Sequence, residues 1–463
     1  VSASTSPPRP KPDPVKVSGP ASGGNGVAIQ HSVDLAAVGY VEEEYFVEGD
    51  AASYTSVGEL GADGRWTIEP AATAPYKTRI VVRRPQDAAK FNGVTVVEWL
   101  NVSAGQDGDP DWGYLHDELI REGEAWVGVS AQAQGIAGGQ AILASSPAAG
   151  GIKAADPARY GSLSHPGDTF AYDIFTQAAA SILSPDGPAP LGDLETRKLI
   201  ASGESQSAFF MTSYVNGVQP LERLFDGFHV HSRAGAGPDF ATARPTAGGT
   251  PTIIRTDTDA PVLIFQTETD LTVLGYAPAR QDDSDMVRLW EAAGTSHADS
   301  YLLESVYGLA GNGDFASILN CPAPVNSGPQ HEVIQAAFHH LVEWVENGTP
   351  PPTAPRLELT SSIPPKIARD ADGNGLGGIR TGPVEAPIAA LSGESEPGGT
   401  QFCGLFGSTK PFDAAKLEAL YPTHDAYVSQ FTAANDQAVE DGYLLAVDAE
   451  ALNAEARASA VGA

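Results

Sequence analysis

Arg197-Lys-Leu-Ile-Ala-Ser-Gly-Glu-Ser-Gln-Ser-Ala-Phe-Phe-Met211 runs from a short apolar stretch into Gly203-Glu-Ser205-Gln-Ser207 and then into a helix-like pattern. It reads as a strand, a sharp turn with Ser205 at its tip, and a helix. The small residues two positions to either side, Gly203 and Ser207, let neighbouring chain pass a cramped backbone. Such a turn lifts the serine hydroxyl above the sheet. It also aims the free N–H groups of the helix start at the point where an oxyanion would form. Five residues are a short motif in a chain with 50 glycines, so its weight depends on which residues follow it, and in what order.

Of the 463 residues, 42% are hydrophobic, enough for a sizeable core in one large or two modest domains. The formal net charge of −31, from 27 basic and 58 acidic residues, repels phosphate backbones and anionic membrane surfaces. Nucleic-acid partners are therefore not expected. No apolar run approaches about 18 residues, so no membrane span is expected and the chain reads as soluble. The Ser/Pro-rich start, within residues 1–25, reads as a tether or disordered segment of the kind that follows a removed targeting sequence, which points to secretion or another extracytoplasmic location. Cys321 and Cys403 can close one disulfide in an oxidising compartment, the alternative being two buried free thiols. Their spacing fits no common metal site.

After the tether, residues 41–47 and 76–84 are β-rich with partial alternation, as outer antiparallel strands are. Residues 94–100 are nearly continuously apolar, which suits a strand buried on both faces, and Asn101-Val-Ser-Ala-Gly-Gln-Asp107 follows as a loop at its C-terminal end. Residues 110–123 have helical spacing and a closing glycine, and 125–130 read as the next strand. The alternation continues with a helix near 168–183, a strand at 199–202, a helix ending about 216–217, and strands at 226–231, 261–266 and 286–291. The implied fold class is α/β, a doubly wound, mostly parallel sheet with antiparallel N-terminal edge strands and a C-terminal extension or cap. The domain reading is a catalytic core over 26–300, with 131–166 as a covering loop, and an extension over 301–463 packed on the core. No internal repeat is present.

Val262-Leu-Ile-Phe-Gln-Thr-Glu-Thr-Asp270 is a strand ending in a loop with two acids, and Arg288-Leu-Trp-Glu-Ala-Ala-Gly-Thr-Ser-His297 is a strand ending in a loop with a histidine. The order serine, acid, histidine is the one a strand-turn-helix serine calls for. On these residues the chain resembles the α/β-hydrolase superfamily of serine esterases and related acyl hydrolases over roughly residues 76–297. It is similar to a bacterial branch of α/β-hydrolase domain proteins at Val97-Glu-Trp-Leu-Asn-Val-Ser103, His165-Pro-Gly-Asp168 and Cys403-Gly-Leu-Phe-Gly407. The Gly-Glu-Ser of the turn also resembles serine carboxypeptidases, but those usually carry several disulfides, which two cysteines cannot supply.

In this reading Ser205 is the nucleophile and His297 the base. Asp270 is the acid, with Glu268 as the alternative and Asp239 a distant third. The resemblance places a glycine where this chain has Thr267. The oxyanion hole combines the N–H of Gln206 with that of Ser103 or Val102, because Asn101-Val102 stands where lipases have His-Gly. Asn101, Trp112, His165, Glu204 and Phe209 are candidate pocket residues. His229 and His231 share one face of a strand and read as satisfied core histidines rather than a metal pair. Asp370-Ala-Asp-Gly-Asn-Gly375 resembles the start of a calcium loop, but Thr381 stands where a bidentate Glu is needed, so a Gly-rich hairpin turn is the reading.

The implied activity is serine-dependent carboxylic-ester hydrolysis of a small-molecule ester through an acyl-enzyme, with no cofactor and no metal. A peptidase or acyltransferase would use the same triad, and a non-catalytic binding protein would keep the fold alone. The acyl and alcohol groups depend on 131–166 and the C-terminal extension, and nothing in the sequence sets an oligomeric state.

Overall fold

The strand Val94–Trp99 is buried at all six positions, as a strand covered on both faces must be, and the sheet grows outward from it. The structure, a computed structural model, describes residues 9–462 apart from 30, 140–149, 245–248, 308–315 and 318. Residues 1–8 of the expected tether and 140–149 of the expected covering loop lie outside the described residues. The chain forms two units. The first comprises Val1–Val262, Ser284–Val287 and Leu341–Gly348, and the second Leu263–Asp283, Arg288–His340 and Thr349–Ala463.

The strands of the first unit are β1 (Val15–Ser18), β2 (Tyr40–Ser56), β3 (Ile68–Pro85), β4 (Val94–Trp99), β5 (Ala125–Val129), β6 (Pro185–Asp186), β7 (Lys198–Glu204) and β8 (Gly227–His231). Their spatial order is β8-β7-β4-β5-β3-β2-β1-β6. Strands β8, β7, β4 and β5 are parallel, while β3, β2 and β1 continue antiparallel. This is the expected α/β class with antiparallel N-terminal edge strands. The helix Pro110–Glu122 starts on Pro110 and ends at Gly123 with φ 75°, the Pro-in, Gly-out asymmetry that the sequence carries. It joins β4 to β5, and Ala171–Leu183 covers the step from β5 to β7.

Two features depart from the sequence reading. β2 and β3 pair from Tyr40↔Pro85 to Ser56↔Ile68, far beyond 41–47 and 76–84. Pro70 and Pro75 disguise this extension. Along β3, only Ile80–Arg83 pairs with β5, so both prolines fall where no ladder to β5 needs their missing N–H. The second departure is β1, which lies inside the expected tether. Val15 and Val17 alternate onto one buried face there, enough for an edge strand.

The core of this unit is aromatic. The Trp99 ring stacks on Phe210 at 4.9 Å and packs against Phe175 at 5.0 Å and Tyr172 at 5.8 Å, so β4 is clamped to the helices that flank it.

The second unit carries most of β9 (Val262–Gln266) and β10 (Val287–Glu291), which are neighbours. Two hairpins, Leu359–Ser362 with Pro365–Ile367 and Ala389–Ser392 with Ser408–Pro411, precede the helices His424–Glu440 and Ala446–Ala458. Tyr421, Tyr427, Phe431, Leu444 and Leu452 form their shared core. No helix among the described residues is long and apolar enough to cross a membrane.

Cys321 and Cys403 form a disulfide across a sequence separation of 82. In the chain-entropy account a ring of this size is worth about 4–5 kcal/mol through the unfolded state. A Cys321→Ala, Cys403→Ala protein should therefore unfold at a clearly lower denaturant midpoint than the oxidised wild type, and phosphine-reduced wild type should match it. Coincident midpoints for all three would show that the crosslink adds nothing.

Candidate active site

Ser205 joins β7 to the helix Gln206–Ser213 with φ 58° and ψ −122°. A non-glycine residue held there costs about 1–3 kcal/mol and persists only where its surroundings impose it. Here the Ser205 N–H donates to the His231 carbonyl at the end of β8, 2.9 Å away. Gly203 leaves room for a close approach, since a Cβ on it would lie 3.1 Å from Ser207 Cβ and 3.0 Å from Met211 Cγ, and those neighbours would have to give by a few tenths of an ångström. From 199 to 219 every residue is buried except Ser205 and Phe209, one helical turn apart. Gln206, the first residue of the helix, has an N–H with no intrahelical partner, as at any helix start.

The loop after β4 is tied to this turn by Asn101. Its Nδ2 donates to the Glu204 carbonyl at 3.1 Å and to Glu204 Oε2 at 3.2 Å, and its backbone pairs with Gly108 in both directions at 2.8 Å. Asn101 Oδ1 accepts the Ser103 N–H at 2.7 Å, so that N–H is already committed. For the Val102 N–H no protein acceptor is found among the described residues, while the Val102 carbonyl accepts from Gly105 N at 2.9 Å and Gln134 Nε2 at 3.2 Å. Of the two oxyanion donors considered, Val102 thus has the N–H to offer.

Beneath the turn lies a polar network. Asp111, in the first turn of Pro110–Glu122, lies 2.9 Å from His231 Nδ1 through one oxygen and accepts from Ser202 Oγ through the other. Ser202 Oγ lies 3.0 Å from His229 Nδ1. Glu98 accepts from the backbone N–H of Asp111 and Trp112 and from Trp126 Nε1. Burial, with Asp111 and Asp109 nearby, pushes the Glu98 carboxyl well above its ordinary range. Both histidines are fully buried with Nδ1 committed, as core histidines are.

Burial lowers His229 from 6.5 to about 4, and the sign of its effect on stability follows. Unfolded chains take up the proton first, so the contribution is complete above about pH 6.5 and is lost as pH falls toward 4. The unfolding midpoint of His229→Asn protein should fall less steeply than that of wild type between pH 6.5 and 4.5. Parallel slopes would refute this.

Two further candidate pocket residues, and the third candidate acid, have defined places. Trp112 is 1% exposed and packs in the core, with the Arg83 guanidinium 4.6 Å from its ring centre and Trp126 at 5.5 Å, so its aromatic face is spent on internal packing rather than held open for a ligand. His165 Nδ1 accepts from the Gly167 N–H at 3.1 Å and Nε2 lies 2.8 Å from the Ala131 carbonyl, which fixes the Nε2–H tautomer. Burial lowers its pKa, and it acts as a loop anchor. Asp239 accepts from Thr242 N and Oγ1, a local turn. A hollow of about 1010 Å³, lined in part by Pro12, Tyr76, Asp173 and Glu222, shares no residue with the serine turn.

In the second unit, Thr267 caps the short helix Glu268–Thr272. Asp270 Oδ2 accepts the Thr267 N–H at 2.7 Å and Thr267 Oγ1 accepts the Asp270 N–H at 3.4 Å, a reciprocal capping box. This orients the other carboxylate oxygen, and Asp270 Oδ1 lies 2.8 Å from His297 Nδ1. Both side chains are buried. Glu268 has different partners. Its Oε1 accepts the Gly294 N–H at 2.7 Å, and its Oε2 accepts the Gly393 N–H at 3.0 Å and Arg369 at 2.9 Å. Burial raises the Glu268 pKa despite the opposing pull of Arg369.

Asp370 Oδ1 accepts from the N–H groups of Asp372 and Asn374 while Oδ2 pairs with Arg380. The chain closes as a bridge between Arg369 and Gly375, a self-satisfied turn. Asp111 and Asn326 were not singled out by the sequence. Asp111 reads only as a first-turn acid after Pro110, and Asn326, described below, carries no local signal.

The model of a family described as an alpha/beta hydrolase domain matches residues 14–454. No curated protein matches the sequence. Among solved structures, one of two fungal esterases from Rhizomucor miehei aligns at 12% identity over 68% of this chain and 92% of its own, with a TM-score of 0.30. A putative dienelactone hydrolase from Klebsiella pneumoniae subsp. pneumoniae MGH 78578 aligns at 11% over 65% and 99%, TM-score 0.29. A glucuronoyl esterase from Solibacter usitatus aligns at 11% over 62% and 82%, TM-score 0.29. Likeness at this distance carries no argument about substrate.

Proposed function

This chain belongs to the alpha/beta hydrolase domain family, and from that premise we propose that it is a serine-dependent carboxylic-ester hydrolase acting on small-molecule esters. The observation that carries the reading is Ser205, held at φ 58° where a parallel strand enters a helix. A fold has reason to keep a strained serine if its hydroxyl is the nucleophile. The capping box that orients Asp270 toward His297 supports the assignment of acid and base.

In the proposed reaction His297 Nε2 takes the Ser205 proton as Oγ attacks the ester carbonyl. Asp270 keeps the imidazole in the Nδ1–H tautomer and balances the imidazolium that forms. The N–H groups of Gln206 and Val102 receive the oxyanion. His297 then protonates the departing alcohol, leaving an acyl-Ser205 that water, deprotonated by the same imidazole, releases as free acid. No step requires a cofactor. The disulfide supports an oxidising, extracytoplasmic setting.

A fluorophosphonate probe, followed by peptide mapping, tests the assignment. Ser205 should be the labelled residue, and labelling should abolish cleavage of short p-nitrophenyl esters. Ester cleavage that survives complete labelling, or a protein that takes no label, overturns it. Added amines and alcohols separate hydrolysis from acyl transfer, since hydrolysis alone yields only free acid.

A further inference from the structure

We propose that Asn326 is a positioning residue for the base, setting where His297 stands by holding both ends of its loop. The inference rests on the reading of His297 as the base. The loop is Gly294-Thr-Ser-His-Ala-Asp-Ser300. At its start, Asn326 Nδ2 donates to the Gly294 carbonyl at 3.0 Å, and at its end the Ser300 N–H donates to the Asn326 carbonyl at 2.9 Å. One fully buried residue therefore grips the loop three residues before His297 and three residues after it.

The remaining groups of Asn326 fix the gripping residue itself. Nδ2 also donates to the Ser392 carbonyl at 3.1 Å, Oδ1 accepts the Gly328 N–H at 2.8 Å, and the backbone N–H donates to the Phe406 carbonyl at 2.8 Å. Both amide hydrogens, the amide oxygen and both backbone groups are thus used, which only asparagine can do at this length. Between the two grips the Ala298 N–H donates to the Leu405 carbonyl at 3.0 Å and the Gly294 N–H is held by Glu268. Leu405 and Phe406 stand two and three residues after Cys403 in a turn anchored by the disulfide. The 301–463 segment thereby acts on catalysis without supplying a reacting atom.

Proton transfer is steep in geometry, and about 1 Å of misplacement costs roughly 10²-fold in rate. The test uses the full chain with Asn326→Ala and with Asn326→Asp, which keeps the shape and the acceptor but loses both donors. Active sites are titrated to completion with a fluorophosphonate, and p-nitrophenyl acetate turnover is then expressed per titrated site. This removes any loss that comes only from fewer folded molecules.

The expected result is a fall in kcat per site of about 10²-fold in both variants, with KM within about threefold. A kcat per site within about threefold of wild type shows that Asn326 serves the fold alone and overturns the proposal. Failure of the esterase reading looks different, because wild type itself would then leave the ester uncleaved and Ser205 unlabelled, and both ideas would fall.

Discussion

Ser205→Ala protein should cleave short p-nitrophenyl esters at least about 10⁴-fold more slowly than wild type, while folding as well as the parent. Without Oγ there is nothing to form the acyl-enzyme, and the oxyanion donors and base retain only their small independent effect. That loss corresponds to about 5 kcal/mol of transition-state stabilisation. The backbone of the turn gives a second and opposite expectation. Ser205 sits at positive φ, a conformation open to glycine at no steric cost. Ser205→Gly protein should therefore be equally inactive yet more resistant to denaturant than wild type, by about 1 kcal/mol or more. Loss of activity together with a gain in stability is the signature of a residue kept for chemistry. Alanine or glycine variants that still turn over ester at the wild-type rate would remove Ser205 from the mechanism.

How far the sequence could be read depended on how local each determinant was. The serine turn was legible because its requirements are written within five residues: a small residue where Ser207 passes close to Gly203, and a helix that begins at once. The strands β4, β5 and β7 were legible because burial on both faces leaves a continuous apolar run. The far ends of β2 and β3 were not, since their prolines argue against a strand until the absence of β5 beside them is known.

The extension is the clearest case of non-local information. The acid and base loops were read as the end of a core closing at residue 300. They share a compact unit with most of residues 301–463, and Arg369, Gly393 and Asn326 of that segment bond directly to Glu268 and to the His297 loop. Hydrogen bonds between residues that stand 32 to 125 positions apart leave no periodic trace. Asn326 lies in a Pro-rich stretch that reads simply as loop.

The choice of Asp270 over Glu268 had a further local signal in the sequence. Thr267-Glu-Thr-Asp270 has the S/T-x-x-D/E spacing of a helix start, although comparison with an apolar-Gly-x-x-Asp pattern makes Thr267 look like a departure. The capping box turns that departure into the device that aims Asp270. Two substitutions should consequently behave in opposite ways. Asp270→Asn retains the volume and an amide oxygen for capping, but it loses the charge opposite His297 and can present an N–H to the ring, which favours the wrong tautomer. Its kcat should fall by about 10³–10⁴-fold, with the unfolding midpoint lowered only modestly.

Glu268→Gln leaves His297 and Asp270 untouched and still offers Oε1 to Gly294, but it breaks the ion pair with Arg369 and puts an amide where two donors expect a carboxylate oxygen. Removing the charge from a fully buried partner costs a few kcal/mol of stability, less here because Arg369 is 23% exposed. Turnover per titrated site should stay within about tenfold of wild type. The pair of measurements separates the roles, because a structural acid moves the melting curve and a catalytic acid moves kcat. If the order is reversed, with Glu268→Gln protein folded but catalytically silent and Asp270→Asn protein active, then the 2.8 Å contact between Asp270 and His297 is a packing contact, and Glu268 takes the place of the triad acid.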